Sequence, residues 1–260
     1  MAAFSKNNLL NRFQNILYMV GQSYLNLYRA FCTAFKGKVS FKDFMYQASV
    51  RGVDSIIIIL ITCIFIGMAL ALHMTNELIE TYGAETAVGG LIALAITREL
   101  APVVTAIVIA GRVGASITAE IGSMKVTEQI DALRVMEIDP VDYLVVPRLL
   151  AGATITPLMT IIATIAAILS AMYLSFFYKE LDPAIFLASV QEMLNTKDVF
   201  VSILKASCFG ILIVTIASTF GLNVKGGADA VGVYTTKTVV WSLIVIFITN
   251  YIITSIFYGA

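Results

Sequence analysis

Residues 55–72 read SIIIILITCIFIGMALAL, a run of eighteen residues without a charged side chain. About 20 apolar residues cross the hydrocarbon core of a bilayer, so this run predicts a membrane-spanning helix. The composition agrees, because 59% of the 260 residues are hydrophobic and only 13% are charged. Ordinary soluble domains carry about 25% charged residues. With a mean hydropathy of +0.89, the chain is predicted to be an integral membrane protein.

Four further segments are long and apolar enough to cross a membrane: residues 87–110, 144–177, 201–222 and 239–258. Together with residues 55–72, they predict an all-α integral membrane protein with five transmembrane helices. We divide the chain into an N-terminal region, residues 1–50, and a membrane domain, residues 51–260. The third segment is long enough to protrude, and it holds Pro147 near its start and Pro157 inside it.

Lysine and arginine side chains are distributed unevenly between the two sides of these helices. Seven lie before the first helix, four follow the second helix and two follow the fourth, whereas only Lys179 and Lys197 lie opposite. Because cytoplasmic loops carry the excess of Lys and Arg, we expect a cytoplasmic N-terminus and a C-terminus outside. For a bacterial chain, this predicts a multi-pass protein of the inner membrane with a periplasmic C-terminus.

The N-terminal region has the periodicity of an amphipathic helix. Its apolar side chains recur at steps of three and four residues: Leu10, Phe13, Leu17, Val20, Tyr24, Leu27, Phe31 and Phe35. Polar side chains, among them Asn26 and Arg29, occupy the other faces. A one-sided helix next to a span favours a location in the cytoplasmic membrane interface. Docking on the bundle and a coiled-coil seam are the alternatives.

Residues 96–102 read ITRELAP and place charges inside the second apolar segment. Since a charge at the centre of a lone membrane helix costs about 2.5–3.5 kcal/mol, Arg98 and Glu99 should face protein, a wet cavity or headgroups. Neighbouring residues project about 100° apart on a helix, so at least one needs a partner on another helix. Pro102 predicts a kink and leaves the Arg98 carbonyl without its helical donor. Arg98 and Glu99 either fix the packing of helices through an interhelical ion pair, or they line or gate a path through the protein.

Lys205 is a third charge within an apolar segment, four residues from the start of the fourth one. Its long side chain can reach the outer headgroups while its stem stays in the membrane. Alternatively, its ammonium group meets the phosphate of a lipid inside the protein. The residue types alone do not separate these two roles.

The connection at residues 111–143 has the composition of a helix rather than a tether. Val126, Ile130 and Leu133 fall on one helical face, which predicts a short amphipathic helix on the cytoplasmic side. We expect it to end at residues 138–140, where a proline blocks continuation. Its apolar face has to be covered by the bundle or by a partner subunit.

Small residues precede this helix at every fourth position: Ala106, Ala110, Gly114, Thr118 and Gly122. Small side chains at this spacing let two helix backbones approach closely in lipid. The stripe therefore predicts a closely packed neighbouring helix, in the same chain or in another copy.

Residues 98–148, RELAPVVTAIVIAGRVGASITAEIGSMKVTEQIDALRVMEIDPVDYLVVPR, resemble the signature block of the MlaE/YrbE permease family. This family supplies the membrane subunit of MCE-type lipid ABC transporters, and the likeness covers residues 50–260. The resemblance implies a homodimer with two cytoplasmic ABC ATPases and an MCE-domain protein on the outer side. It also implies transport of phospholipids or related lipids.

The resemblance implies roles for two groups of residues. Coupling to the ATPase is expected from the block AEIGSMKVTEQIDAL, and we assign it to Glu120, Lys125, Glu128, Gln129 and Asp131. A lipid path or gate is assigned to Arg98, Glu99, Pro102, Lys205, Asn250, Tyr82, Leu70 and Leu78. The family usually has an acidic residue where this chain has Asn250, which removes one possible partner for Lys205 or Arg98. Interface anchoring is the alternative for Tyr82, and ordinary packing for Leu70 and Leu78.

The chain has no G-x-x-x-x-G-K-[ST] loop, so ATP and Mg²⁺ are expected on the partner ATPase, and no cofactor or metal is expected here. The alternatives to a permease are a membrane scaffold that moves nothing and an intramembrane lipid-modifying enzyme. Catalysis would need a nucleophile with a base, or a metal site, and the single His73 with no carboxylate constellation argues against it. No feature indicates a nucleic-acid partner.

Overall fold

The computed structural model describes residues 2–35 and 41–259, and these residues form helices and turns without a β-strand. Within them, five helical segments are long and apolar enough to span a membrane: Ser55–Thr81, Glu85–Val126, Val141–Lys179, Thr196–Leu222 and Ala228–Tyr258. The predicted all-α architecture with five spans is confirmed.

The described residues contain ten α-helices: α1 (Ala2–Phe35), α2 (Phe41–Asn76), α3 (Val88–Ala95), α4 (Ala101–Ile109), α5 (Ala115–Val126), α6 (Gln129–Val135), α7 (Val146–Lys179), α8 (Pro183–Met193), α9 (Thr196–Leu222) and α10 (Ala228–Tyr258). Wider π-helical turns lie at Glu77–Thr81, Ile96–Leu100, Ala110–Gly114 and Val141–Val145, and a 3₁₀ turn lies at Glu85–Ala87. The second span therefore runs from α3 through α5. It extends past the predicted end at residue 110, because the helical backbone continues through a π-helical turn.

α9 lies at the centre of the bundle, where it packs against α5, α7 and α10, while α2 packs along α7. The crossing of α7 and α9 is close. A Cβ atom on Gly210 would overlap the carbonyl oxygen of Gly152, so neither backbone has room for a side chain there. Pro157 lies inside α7, as predicted, and Pro147 lies in its first turn.

The predicted stripe of small residues packs within the same chain. Gly114 faces Ile213 of α9. Thr118 is buried, and its Oγ1 lies 3.0 Å from the Ala217 carbonyl oxygen of α9 and 2.8 Å from Thr238 Oγ1 of α10. The sequence left open whether the neighbouring helix belongs to this chain or to another copy. In the structure, the neighbours are α9 and α10 of the same chain.

α1 contacts the bundle through residues that the sequence placed on its polar side. Asn26 is 6% exposed, and its Nδ2 donates to Thr219 Oγ1 of α9 at 3.1 Å. Asn26 lies off the apolar stripe, as predicted, yet it is buried against α9, where a threonine hydroxyl satisfies its amide. Leu17, Val20 and Tyr24 are exposed on the single chain, while the predicted stripe side chains of Leu10, Phe13 and Phe35 lie outside the described residues. The interfacial location of α1 stays a prediction.

The two ends of the bundle differ in the helices that form them. The α8 end comprises α8, the start of α9 and the end of α10. A hydrogen bond from Lys197 Nζ to the Phe257 carbonyl (2.8 Å) joins α9 to α10 there. The α6 end comprises α6, the turn at residues 223–227 and the start of α10. The positive-inside rule predicts that the α6 end is cytoplasmic.

Candidate functional site

A buried ammonium group holds together a polar cluster near the α8 end. Lys205 on α9 is 0% exposed. Its Nζ donates to the Arg98 carbonyl oxygen (2.7 Å), Glu99 Oε1 (2.9 Å) and Thr254 Oγ1 (2.7 Å). An ammonium group has three donors and no acceptor, so its hydrogen-bonding capacity is fully used. The hypothesis that Lys205 extends to the headgroups is therefore wrong, because its side chain points into the protein.

The carboxylate of Glu99 accepts from two helices. Oε1 accepts from Lys205 Nζ and from the Thr254 hydroxyl (2.8 Å), and Oε2 accepts from Asn250 Nδ2 (2.6 Å). Its side chain is still 40% exposed on the single chain. Asn250 thus supplies a donor to Glu99 where an acidic side chain would repel it.

Arg98 makes a second ion pair, close to the start of α9. Its Nε donates to Asp198 Oδ1 at 2.9 Å, and the guanidinium lies 4.4 Å from the ring centroid of Tyr258. The Tyr258 hydroxyl also donates to Asp198 Oδ1 (2.8 Å), while Asp198 Oδ2 accepts the Asn195 backbone N–H (3.1 Å). Asp198 is 1% exposed, whereas the Arg98 side chain is 34% exposed. Both members of the Arg98–Glu99 pair therefore have partners on other helices, whereas the sequence required a partner for at least one of them.

Backbone geometry brings these groups together. Pro102 has no N–H, so the Arg98 carbonyl lacks its usual helical donor. The structure places the π-helical turn Ile96–Leu100 just before Pro102, and Lys205 Nζ occupies the free carbonyl. The predicted free acceptor is confirmed. Single π-helical turns inside α-helices occur frequently at functional sites.

We call Arg98, Glu99, Asp198, Lys205, Asn250, Thr254 and Tyr258 the charged network. Sequence reasoning identified four of these residues and missed Asp198, Thr254 and Tyr258. Asp198 lies in the first turn of α9 in a capping box with Asn195, and Tyr258 is the last residue of α10. The capping pattern Asn-x-x-Asp was a usable signal for Asp198. Lys205 lies about 13 Å along α9 from its start, so the network occupies the membrane half nearer the α8 end.

The remaining lipid-path candidates lie on the α2 side of the bundle. Leu70 and Leu78 are half-buried and pack against the apolar core, and Tyr82 is 71% exposed after the Glu77–Thr81 turn. α2 packs along α7, whereas the charged network is built on the second span, α9 and α10. Among the described residues, no hydrogen bond or ring contact joins Tyr82 to the network. Within one chain, the candidates on the α2 side and the charged network therefore lie apart.

The predicted coupling residues lie at the α6 end, on α5, α6 and the turn between them. Ile130 is fully buried and Leu133 packs against the core, which confirms these two members of the predicted apolar face. Val126, the third predicted member, is instead the last residue of α5, because the left-handed Glu128 breaks the helix before α6. Glu128 and Gln129 are exposed. The helix ends at Val135 rather than at residues 138–140, which corrects the predicted boundary.

Ion pairs fix the shape of this surface. Lys125 Nζ lies 3.0 and 2.9 Å from the two carboxylate oxygens of Asp131, and this hydrogen-bonded ammonium lowers the pKa of Asp131 below its ordinary value. Glu120 Oε1 accepts from Arg148 Nη2 of α7 at 2.7 Å, and Arg148 is 4% exposed. Glu120 and Asp131 therefore hold the α5–α6 corner, while Glu128 and Gln129 are available to a partner.

Comparison with known proteins gives a consistent result. A family model described as "Permease MlaE" matches residues 44–256. A probable ABC transporter permease of Synechocystis sp. is 40% identical over 250 residues, which are 95% of this chain and 92% of the relative. Protein TRIGALACTOSYLDIACYLGLYCEROL 1, chloroplastic, of Arabidopsis thaliana is 36% identical over 223 residues, 86% of this chain and 63% of the relative. A probable ABC transporter permease of Rickettsia prowazekii is 37% identical over 207 residues, 80% of each chain.

Proposed function

The chain belongs to the MlaE permease family, a family of multi-pass transporter subunits, and from this premise we propose that its cargo is a phospholipid or a related lipid. In this proposal, the chain passes lipid between the inner membrane and an MCE-domain protein on the outer side. A separate cytoplasmic ATPase, which carries ATP and Mg²⁺, drives the cycle. The name of the Arabidopsis relative contains a diacylglycerol lipid, which supports this class of cargo.

The partial exposure of the charged network is the observation that carries the proposal. Glu99 and Arg98 are 40% and 34% exposed on the single chain, although they belong to a membrane-spanning segment. Charged side chains in hydrocarbon are costly and almost always face a bundle interior or a water-filled cavity. The exposed side of the network therefore needs a cover that leaves room for polar groups.

A second copy of the chain is our proposed cover. Along the membrane-crossing part of α10, Val240, Ile244, Phe247, Tyr251 and Ile256 are exposed on the single chain. Two copies that meet along the second span and α10 would enclose the two networks in a shared hollow. Polar groups at its wall would contact a lipid headgroup, and apolar side chains would contact its acyl chains. Leu70, Leu78 and Tyr82 belong to this path in the proposal.

The α6 end supports the part of the proposal that concerns the ATPase. Glu128 and Gln129 are exposed on a corner that Lys125, Asp131 and Glu120 hold in place. Val135 and Met136 next to this corner are 85% and 60% exposed. A rigid corner with charged and apolar groups is suited to a protein partner. This placement requires a cytoplasmic α6 end, and hence the cytoplasmic N-terminus and periplasmic C-terminus of our proposal.

Lipid transport by reconstituted complexes tests the proposed role of the network. We expect Glu99→Gln and Arg98→Ala to reduce lipid transport between vesicles by tenfold or more while the complex still purifies whole. The carbonyl oxygen of the glutamine can still accept from the Thr254 hydroxyl. If the Asn250 amide flips, the glutamine amide can also donate to Asn250 Oδ1. The matched control is Glu85→Gln, which neutralises an exposed carboxylate at the start of the same span.

Normal transport by both network variants would contradict the proposal and favour a scaffold that moves nothing. Chemically altered lipid in the acceptor vesicles would instead favour an intramembrane enzyme. Mass spectrometry of the lipids before and after the reaction separates these outcomes.

A further inference from the structure

A groove of about 910 Å³ lies between α1, α9 and α10, at the α6 end and apart from the charged network. Sites for small molecules have volumes of about 300–1,000 Å³, so the groove has the volume of a ligand site and can hold part of a lipid molecule. α1 contributes Tyr18, Val20 and Tyr24 to its wall. These three side chains are exposed on the single chain, and the packing of one chain does not explain what covers them.

The chemistry of the wall changes with depth in the membrane. Along α10, Lys237, Trp241 and Val245 line the groove at steps of four residues, so they share one helical face. This order places a cation nearest the α6 end, then an indole ring, then an aliphatic side chain deeper in the span. α9 runs in the opposite direction and presents Phe220 and Ile216 at corresponding depths.

Two ammonium groups lie at the mouth of the groove. Lys225 follows α9 in the turn at residues 223–227, and Lys237 lies in the third turn of α10. Both are exposed, and neither forms an ion pair with a residue that the structure describes. Lys237 Nζ lies 4.9 Å from the ring centroid of Tyr234, another residue of the wall. Among the described residues, those that line the groove include no acidic side chain, so its wall carries a net positive charge at the mouth.

We propose that this groove binds one anionic phospholipid, with its phosphate at Lys225 and Lys237 and an acyl chain along Trp241 and Ile216. The match is one of amphiphilicity: cations at the headgroup level, aromatic rings below them and aliphatic side chains in the hydrocarbon. Basic pockets between membrane helices bind anionic headgroups in this way. The site requires only that the chain spans a membrane, so it is independent of the proposed lipid transport.

A second copy of the chain is a poorer occupant. A two-fold interface through the groove would bring the lysines of both copies to the same patch, where like charges repel. A zwitterionic lipid would fill the apolar part but would leave the net positive charge of the mouth uncompensated. Charge complementarity therefore favours an anionic headgroup.

Trp241 is a built-in reporter, because the chain contains one tryptophan. The full chain is placed in phosphatidylcholine nanodiscs that contain a small equal fraction of either dibrominated phosphatidylglycerol or dibrominated phosphatidylcholine. We expect the phosphatidylglycerol to quench Trp241 fluorescence at least threefold more strongly at the same mole fraction. Unbrominated phosphatidylglycerol should reverse the excess quenching by competition.

Lysine variants show whether the mouth of the groove causes this selectivity. Lys225→Gln and Lys237→Gln should each reduce the excess quenching, and the double variant should abolish it. Lys225→Arg with Lys237→Arg should retain it. Arg112→Gln is the matched control, since it removes an exposed cation from the same side of the protein without lining the groove.

Equal quenching by the two headgroups in the wild-type chain would overturn the proposal, since the groove would then be ordinary lipid-facing surface. Absence of quenching by either lipid would also overturn it and would indicate that a second copy covers the groove. Excess quenching that survives the double Gln variant, with the chain still eluting as a folded species, would place the headgroup elsewhere and refute the assigned lysines.

Discussion

Removal of either partner of the Lys205–Glu99 pair should destabilise the protein, but by unequal amounts. Loss of one partner of a buried ion pair costs about 3–5 kcal/mol, because the other charge stays buried without compensation. For Glu99→Leu, the stranded group is the Lys205 ammonium, which is 0% exposed and keeps only neutral acceptors. Because Glu99 itself is 40% exposed, solvent already weakens the pair, and we expect a loss of about 3 kcal/mol.

Lys205→Met should cost less than Glu99→Leu. It leaves the Glu99 carboxylate without its ammonium partner, but this carboxylate is partly exposed and still accepts from Asn250 and Thr254. It also leaves the Arg98 carbonyl oxygen without its donor. An unsatisfied neutral acceptor costs about 1–3 kcal/mol, so we expect a loss of about 2 kcal/mol. The double variant should be more stable than Glu99→Leu alone, since apolar replacement of a whole buried pair is often close to neutral.

Unfolding of the full chain in mixed detergent micelles measures these free energies. Equal losses in the two single variants, or a double variant with the sum of both losses, would refute the assignment of Lys205 as the deeply buried partner. Lipid transport by the same proteins separates two roles of the pair. If the polar groups themselves serve the proposed lipid path, the double variant should remain inactive although its stability recovers. Recovery of transport together with stability would mean that the pair only fixes helix packing.

Three other changes test the α6 end and the interior of the bundle. Reversal of charge at Glu128 and Asp131 should release the ATPase, so that it no longer co-purifies with the permease; unchanged co-purification would contradict the docking assignment. Gly210→Ala should destabilise the chain by about 1–3 kcal/mol in the detergent unfolding assay, because the added Cβ overlaps the backbone of α7. Gly232→Ala is its control: nothing lies within 4 Å of the added methyl group, and alanine favours the helix by up to about 1 kcal/mol. Thr118→Val should cost about 1–2 kcal/mol in the same assay by leaving buried polar partners without their hydrogen bond, and no loss would mean that these bonds do not support the stripe.

The charged residues that the sequence identified are those that interrupt apolar runs. Arg98, Glu99 and Lys205 are conspicuous because each is costly in lipid, so the expectation of interhelical partners followed from solvation alone. Asp198 and Tyr258 belong to the same network but lie at helix ends, where polar side chains are ordinary. Their importance depends on which ends meet in three dimensions, and a single sequence does not contain that information.

The small-residue stripe and the end of α6 are two further features that could be predicted only in part from the sequence. Spacing of Gly114 and Thr118 predicted close packing, but the identity of the neighbour depends on the arrangement of all five spans. The early end of α6 depends on Glu137, which adopts a left-handed backbone conformation with φ of 59°. The Ile138 N–H then donates to the Leu133 carbonyl (3.0 Å), which closes the helix end. Glycine or asparagine usually adopts this conformation at a helix end, so the glutamate at this position did not predict that the helix ends here.

The second span connects the two candidate sites mechanically. It carries Glu99 of the charged network in the half nearer the α8 end and Glu120 of the predicted coupling surface about 30 Å further along, at 1.5 Å per helical residue. Between them lies the π-helical turn Ala110–Gly114. Lys205 of α9 fixes one end of the span through three hydrogen bonds, and Arg148 of α7 fixes the other through Glu120. Displacement of the α5–α6 corner relative to α9 would therefore have to bend the span or break some of these bonds, among them the Thr118–Ala217 hydrogen bond, and we expect loss of the Lys205 bonds to open the network to its surroundings.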